Sequence, residues 1–277
     1  MPVLRSATHT VEAMGASVIT AALRPQLALL CEAGESLTRA TVESTPWIVV
    51  LDDAQPGELD AVTATLESVL TGSTISLMVL PLPFRASAGG ARSIGLSHVR
   101  TRWFCVLDAD DLLPAGALDT QLMLLRSSPD AQWCLGAGET LYQDESRVFW
   151  SHDLPTVVPR GVLARLTMET GVMPTIPIAG MWDADLVRAL GAWQSLPRDE
   201  DTSLKLAATT AAGGVSTPLS TYVYRRDVAG QLTGHAAYTE AGRWCRQAAV
   251  DRVCALCRDS PELEGIAAGD WSSFLNG

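Results

Sequence analysis

Lysine is nearly absent from this chain. Of its 20 basic residues one alone, Lys205, is lysine, and they face 31 acids, for a net charge of −11. A nucleic-acid binder needs a basic face, so the balance argues against that class of partner. A nucleotide ligand stays open, because a bound metal and a few arginines can reverse the local field. Long apolar runs are lacking as well. None reaches the roughly 18 residues that cross a bilayer, and the nearest, Val18–Leu30, is interrupted by Arg24-Pro25. No basic segment leads into an unbroken apolar stretch with a small-residue cleavage site, so the expected location is cytoplasmic, with no integral membrane segment. The six cysteines, at 31, 105, 134, 245, 254 and 257, have no spacing that builds a disulfide framework. Cys254-Ala-Leu-Cys257 has no second pair at ligand spacing, which favours an apolar helix face over a zinc site.

What is present is enough for a sizeable core: 277 residues, 47% hydrophobic and 18% charged. The stretch around which the rest is organised is Trp103-Phe-Cys-Val-Leu-Asp108-Ala-Asp110-Asp111. Its apolar run reads as a strand buried on both faces, since such strands need not alternate. The acids fall at its carboxyl end, the edge where open α/β sheets bind ligands. Asp108 and Asp110, two apart, can turn toward one point and hold a hard divalent cation through oxygen ligands. A capped polar turn before the next helix explains the same acids without any metal.

The flanking chain supports an α/β reading. Strands are expected at Ala16–Ala22, Trp47–Leu51, Ile75–Leu80 and Trp103–Leu107. Between them lie helical stretches at Gln26–Ala40, Glu58–Leu70 and Ala91–His98. Alternation of this kind means βαβ units, a parallel sheet and right-handed crossovers. The strand at Trp47–Leu51 also ends in a carboxylate pair, Asp52-Asp53, so two strand ends carry acids that can meet at one topological switch point. Further on, we expect a helix at Ala115–Arg126 and strand at Ala131–Leu135 and Glu139–Tyr142, with Arg147–Trp150 antiparallel. Next come a helix at Val162–Glu169, an apolar loop at Val172–Pro177, a strand at Ile178–Trp182 and a helix at Ala184–Leu190. Arg198-Asp-Glu-Asp201 precedes a helix at Thr202–Thr210, a last β segment follows at Val215–Arg226, and residues 236–258 have helical periodicity before a polar tail. Trp182, Trp193 and Trp244 are large flat side chains of the kind that pack on sugar faces, although core packing accounts for any one of them.

Seven pieces in order resemble a family 2 inverting glycosyltransferase of the GT-A fold. They are Ala16-Ser-Val-Ile-Thr20, Ile48-Val-Val-Leu-Asp52-Asp53, Gly90-Ala-Arg92-Ser-Ile-Gly95-Leu96, Leu107-Asp108-Ala-Asp110-Asp111, Leu190-Gly-Ala-Trp193, Glu200-Asp201-Thr-Ser-Leu204 and Tyr222-Val-Tyr-Arg225. The resemblance implies a doubly wound mixed sheet, with a Rossmann-like nucleotide-binding half at about 16–114 and an acceptor half at about 115–235. Together these form a catalytic domain over 1–235, followed by a C-terminal helical extension over 236–277. It implies that Thr20 or Ala21 contacts the base or ribose and that Asp53, with Asp52, accepts the base imide N–H, a pairing that suits uracil or thymine. Arg92 would face the base or diphosphate. Asp108, with Ala109 beside it, would touch the ribose side, and Asp110 would ligate Mn²⁺ or Mg²⁺, with Asp108 near that metal too. Asp201 would be the general base, with Glu200 next to it raising its pKa.

The departures are specific. Thr20-Ala-Ala-Leu-Arg24 stands where the family usually has Pro-Thr-Tyr-Asn, so a stacking aromatic is missing. After Tyr224-Arg225 the family often places a metal-binding His; here the position is Asp227, and His235 is a second candidate. The reaction implied is transfer of a sugar from a UDP- or dTDP-type donor to a small-molecule, peptide or lipid-linked acceptor, in a protein that can dimerise through its C-terminal helices. A sugar-1-phosphate nucleotidyltransferase would share the carboxylates and metal but wants a glycine-rich loop after the first strand, absent here. A non-catalytic nucleotide-sugar binder is the third reading.

Overall fold

The computed structural model describes residues 15–23, 27–226 and 241–276. Among them, nine strands form one mixed sheet. The first half is β1 (Ala16–Leu23), α1 (Leu27–Ala40), β2 (Thr45–Asp52), α2 (Glu58–Val69), β3 (Ile75–Pro81), α3 (Ala88–His98) and β4 (Trp103–Val106). β1, β2 and β4 are the continuous apolar runs; Val18, Ile19, Val49, Val50, Phe104 and Val106 are all buried, as strands covered by helices on both faces must be. The second half runs α4 (Ala117–Arg126), β5 (Trp133–Leu141), β6 (Arg147–Trp150), β7 (Val157–Val158), α5 (Val162–Thr170), β8 (Met181–Asp183), α6 (Ala184–Ala189), α7 (Glu200–Ala211) and β9 (Gly214–Arg225). The strand order is β3-β2-β1-β4-β8-β5-β9-β7, with β6 on β5. β1 pairs in parallel with both β2 and β4, whereas β4 meets β8 antiparallel, so the winding reverses beside β1 and β4.

The structure redraws several sequence boundaries. β5 is one strand, not two. Gly136 and Gly138 lie in the gap between the two expected segments; a Cβ there would fall 2.3 Å from Thr221 and from Ile176, so they are places where neighbours press close. β8 has three residues instead of the expected five, because the chain bends at Pro177 and Ile178, where the Ala179 amide bonds the Ile176 carbonyl at 3.1 Å. α3 begins at Ala88, its Gly90 amide donating to the Ser87 hydroxyl at 3.4 Å. α7 begins at Glu200 rather than Thr202, which puts both acids inside its first turn.

The final segment is not a polar tail. α8 (Gly242–Cys257) is followed by a 3₁₀ turn (Pro261–Leu263), α9 (Glu264–Ala267) and α10 (Ser272–Asn276). Val250, Val253, Cys257, Leu263, Ile266, Trp271 and Phe274 are buried with Ala164 of α5 and Leu206 of α7 in a second core. Cys254 and Cys257 belong to this packing, their thiols pushed up by burial, and Cys254 lies 3.8 Å from the Ala267 carbonyl. No helix among the described residues is long and apolar enough to cross a membrane.

Candidate active site

One arginine gathers the acids of both halves. α3 lies close on the sheet because Gly95 sits where a Cβ would be 2.7 Å from Ile19. That approach brings Arg92, one turn earlier, to the carboxyl edge of β1 and β4. Arg92 is 4% exposed and its guanidinium donates to three carboxylates: Asp108 at 2.7 Å, Glu200 at 2.8 Å and Asp201 at 3.0 Å. Asp108 follows β4, while Glu200 and Asp201 open α7, roughly a hundred residues later in the chain but adjacent in space. Among the described residues the Arg92 guanidinium meets these three carboxylates, whose charge offsets its burial.

Three acids around one cation leave an excess of negative charge. Burial pushes the Asp201 carboxyl up to about 7, Arg92 opposes this, and the charges of Glu200 and Asp108 add to it. The Trp193 indole N–H also donates to Asp201, at 2.8 Å. A carboxyl that ionises near neutrality and holds two fixed donors is suited to accept a proton.

Asp108 and Asp110 sit half-buried at the sheet edge, and the next residue, Asp111, is inside. Asp111 accepts from the Tyr222 hydroxyl at 2.8 Å and the Arg225 amide at 2.7 Å. Its carboxyl is raised well above the ordinary range by burial, with Asp108 and Asp110 adding to the effect. The same Tyr222 hydroxyl accepts the Asp108 amide at 3.2 Å. Arg225 donates to the Asp110 carbonyl and pairs with Glu32 of α1. Leu112 bridges to Val223 of β9 through two backbone bonds, at 3.0 and 2.9 Å. The whole acidic turn is thus pinned to β9.

The remaining expected residues fall as follows. Asp52 ends β2, is 3% exposed and accepts the Ala86 amide at 2.5 Å. Asp53 follows it, half-buried, with φ 58°. Ala21 and Ala109 are half-buried at the same edge. Thr20 is fully buried: its hydroxyl donates to the Leu107 carbonyl at 2.6 Å and accepts from Trp47 at 2.9 Å. That side chain ties β1 to β2 and β4, and Ala21 beside it is the more exposed of the two. Asp227 and His235 lie outside the described residues. Among those described, no cluster of three metal-ligating side chains occurs. The tryptophans do not form a platform either: Trp182 is core, Trp193 binds Asp201, and Trp244 is 79% exposed on α8. Sequence reasoning missed roles for Trp193, Tyr222 and Arg225, although all three stood in its motif pieces.

Lys205 lies one turn beyond Asp201 on α7 and is fully buried. Its ammonium donates to the Thr175 hydroxyl at 2.9 Å and the Ile176 carbonyl at 2.5 Å, with no carboxylate of the described residues bonded to it. Burial lowers its pKa to about 7. Between pH 7 and 10.5 the unfolded chain then holds more protons than the native state, so this group adds stability as pH rises and loses it as pH falls toward 7. Thermal midpoints read across that window should climb in the native chain and stay flat in Lys205→Met. Parallel curves for the two proteins would refute a charge-shifted Lys205.

Two comparisons with known proteins return matches, and no curated protein sequence matches the chain. The family model described as glycosyl transferase family 2 matches residues 17–155. Among solved structures, S. aureus TarS 1-349 superposes with a TM-score of 0.68 at 13% identity, covering 95% of this chain and 71% of that one. Its complex with UDP gives 0.67 at 13% identity over 95% and 71%. Its complex with UDP-GlcNAc gives 0.65 at 12% identity over 91% and 78%. At such identities the superposition speaks for the GT-A fold, with its mixed sheet and C-terminal helices.

Proposed function

The chain belongs to glycosyl transferase family 2, and from that premise we propose that it transfers a sugar, with inversion, from a nucleoside-diphosphate sugar to an acceptor hydroxyl or amine. The observation that carries this reading is the Arg92 cluster, which joins a strand-end Asp108 to the Glu200-Asp201 pair that opens α7. In the reaction proposed, the acceptor oxygen or nitrogen attacks the anomeric carbon in line with the bond to the diphosphate. Asp201 takes the acceptor proton, the carbon–oxygen bond to the diphosphate breaks, and the electron pair leaves with the phosphate. The shift of Asp201 toward pH 7 supports its assignment as base. Asp52 and Asp53 end β2 where a base edge would be read, and UDP-type donors are favoured because the TarS structures hold UDP and UDP-GlcNAc.

Asp110 and Asp108 fit a hard divalent cation in donor chemistry: they are two half-buried carboxylates at a sheet edge, and phosphate oxygens and water would complete the shell. Bound there, Mn²⁺ or Mg²⁺ would neutralise charge on the leaving diphosphate. Arg92 keeps Asp108 and Asp201 at one edge, and Tyr222 and Arg225 hold the turn between Asp108 and Asp111 in shape.

Thermal shift with UDP, dTDP and GDP, each with and without Mn²⁺, tests the proposal. A ligand at about a hundred times its dissociation constant adds about 2.7 kcal/mol of stability, or about 5 °C or more for a domain of this size. We expect that shift for a uridine or thymidine diphosphate with metal, and its loss in Asp110→Asn. No shift with any of the three would sink the reading.

A further inference from the structure

Helix α8 reaches the site by a route that the reaction above does not use. After α6 the chain turns through Gly191 (φ 81°) and Ala192 (φ 56°), two successive left-handed residues, the second one a non-glycine. Such a conformation strains an alanine and persists only where its surroundings enforce it. Backbone bonds close the end of α6, from Gly191 to the Arg188 carbonyl and from Ala192 to the Val187 carbonyl, and α8 clamps the turn from outside: Arg252 donates one guanidinium nitrogen to the Leu190 carbonyl at 2.6 Å and the Ala192 carbonyl at 2.9 Å. The turn delivers Trp193 inward, 5% exposed, its ring edge-on to Phe104 at 6.0 Å. Its indole N–H ends 2.8 Å from Asp201. The next residue, Gln194, accepts from Ser203 of α7, so the segment is fastened to the helix that carries Asp201. On the other flank Arg246 of α8 approaches Asp199 at 3.9 Å, and Arg198 pairs with Asp199 at 2.9 Å.

We propose that Trp193 positions Asp201, and that Arg252 positions Trp193 through the 190–192 turn, so that α8 is a working part of the active site rather than a cover on the second core. This rests on the assignment of Asp201 as the base. Asp201 Oδ1 takes the indole N–H at 2.8 Å as well as Arg92 at 3.1 Å, and Oδ2 takes Arg92 at 3.0 Å, so the indole adds a second, differently aimed donor to the arginine's grip and leaves Oδ2, the less engaged oxygen, to face the incoming acceptor. A base so held is preorganised; a base free to rotate samples unproductive angles.

The test uses the full-length protein and the nucleotide-sugar that turns over fastest in a panel of UDP-, dTDP- and GDP-sugars, with water as acceptor. Trp193→Phe keeps the ring against Phe104 and removes the N–H alone. It should lower kcat about tenfold, the scale of one hydrogen bond to a charged group, with the KM for donor unchanged. In an Asp201→Asn background the same substitution should have no further effect, because there is no base left to position. Arg252→Met should lower kcat several-fold alone and add nothing to Trp193→Phe. A readout independent of turnover is the Trp193 indole resonance in a proton–nitrogen NMR spectrum, which should move in both Asp201→Asn and Arg252→Met. Unchanged kcat in Trp193→Phe, losses that simply add, or an indole resonance indifferent to Arg252 would each overturn the proposal. Full turnover in Asp201→Asn would instead overturn the base assignment, which keeps the two failures distinct.

Discussion

Arg92→Met is expected to lower the thermal midpoint by about 10 °C well above pH 7. The side chain is replaced by one of similar length, so packing changes little; what disappears is the cation shared by Asp108, Glu200 and Asp201, whose side chains are 28%, 11% and 18% exposed. Breaking a buried pair by removing one partner costs about 3–5 kcal/mol, because the remaining charge is left without compensation. For a domain of this size each kcal/mol moves the midpoint by about 2–4 °C. The direction with pH follows from the same charges. Arg92 is held well above the ordinary arginine range, so it stays charged throughout, while the acids neutralise on acidification. Arg92 holds Asp201 down to about 7, so without it Asp201 takes up its proton at higher pH; the deficit should be full well above 7 and shrink as pH falls toward 7. Arg92→Lys should recover only part of it, since one ammonium lacks the planar fork that reaches three acids at once. A midpoint lowered by less than about 3 °C well above pH 7, or a deficit that does not shrink as pH falls toward 7, would contradict a charge-holding role.

The same arginine shows where the sequence is informative and where it is not. Runs such as Trp47–Leu51 and Trp103–Leu107 announce buried strands because apolar residues in sequence are apolar residues in space, and the abrupt change to Asp52-Asp53 and Asp108-Ala-Asp110 announces the sheet edge. The first half of the fold, from β1 to β4, is therefore legible. The hydrogen bonds at the site are not. Arg92 finds Glu200 108 residues away, and Tyr222 finds Asp111 across 111, separations that leave no local signature. The direction in which Arg92 points depends on which groups the topology brings to it. Trp193 was legible only as a large aromatic; the carboxylate that takes its N–H becomes visible once α7 is in place. The continuity of β5 through Gly136 and Gly138 is hidden for a related reason, since a glycine that ends a strand and one that admits Thr221 or Ile176 have the same local appearance. The segment after Cys257 misled through composition: Leu263, Ile266, Trp271 and Phe274 are too sparse among polar residues to show a period, yet they share one core with α8.

Asp201→Asn is expected to lower transfer by about a hundred- to ten-thousandfold, the usual range for removing a positioned general base. The substitution is nearly isosteric, so the Trp193 N–H still has an oxygen to meet. It also removes one of the negative charges that crowd Arg92, so the fold should be no less stable than the native one, and a midpoint unchanged or raised separates loss of chemistry from loss of structure. Binding of the nucleoside diphosphate should persist, because Asp52, Asp53 and Asp110 are untouched. The pH profile supplies the second half of the argument. A base works deprotonated, and burial together with the neighbouring acids lifts Asp201 to about 7. In the native protein kcat/KM should therefore climb tenfold per pH unit well below 7 and level off above it, reporting the free enzyme. The residual rate of Asp201→Asn should lack that rise. For stability the sign is opposite. Between the ordinary carboxyl value of 3.8 and about 7 the native state holds more protons than the unfolded chain, so this group's contribution is largest at low pH and declines as pH rises through that window. Activity gained and stability lost over the same pH interval, both abolished by a single Asp201→Asn change, is a signature that a merely structural carboxylate would not produce. A variant that transfers sugar at near-native rates, with the native pH profile, would remove Asp201 from the mechanism.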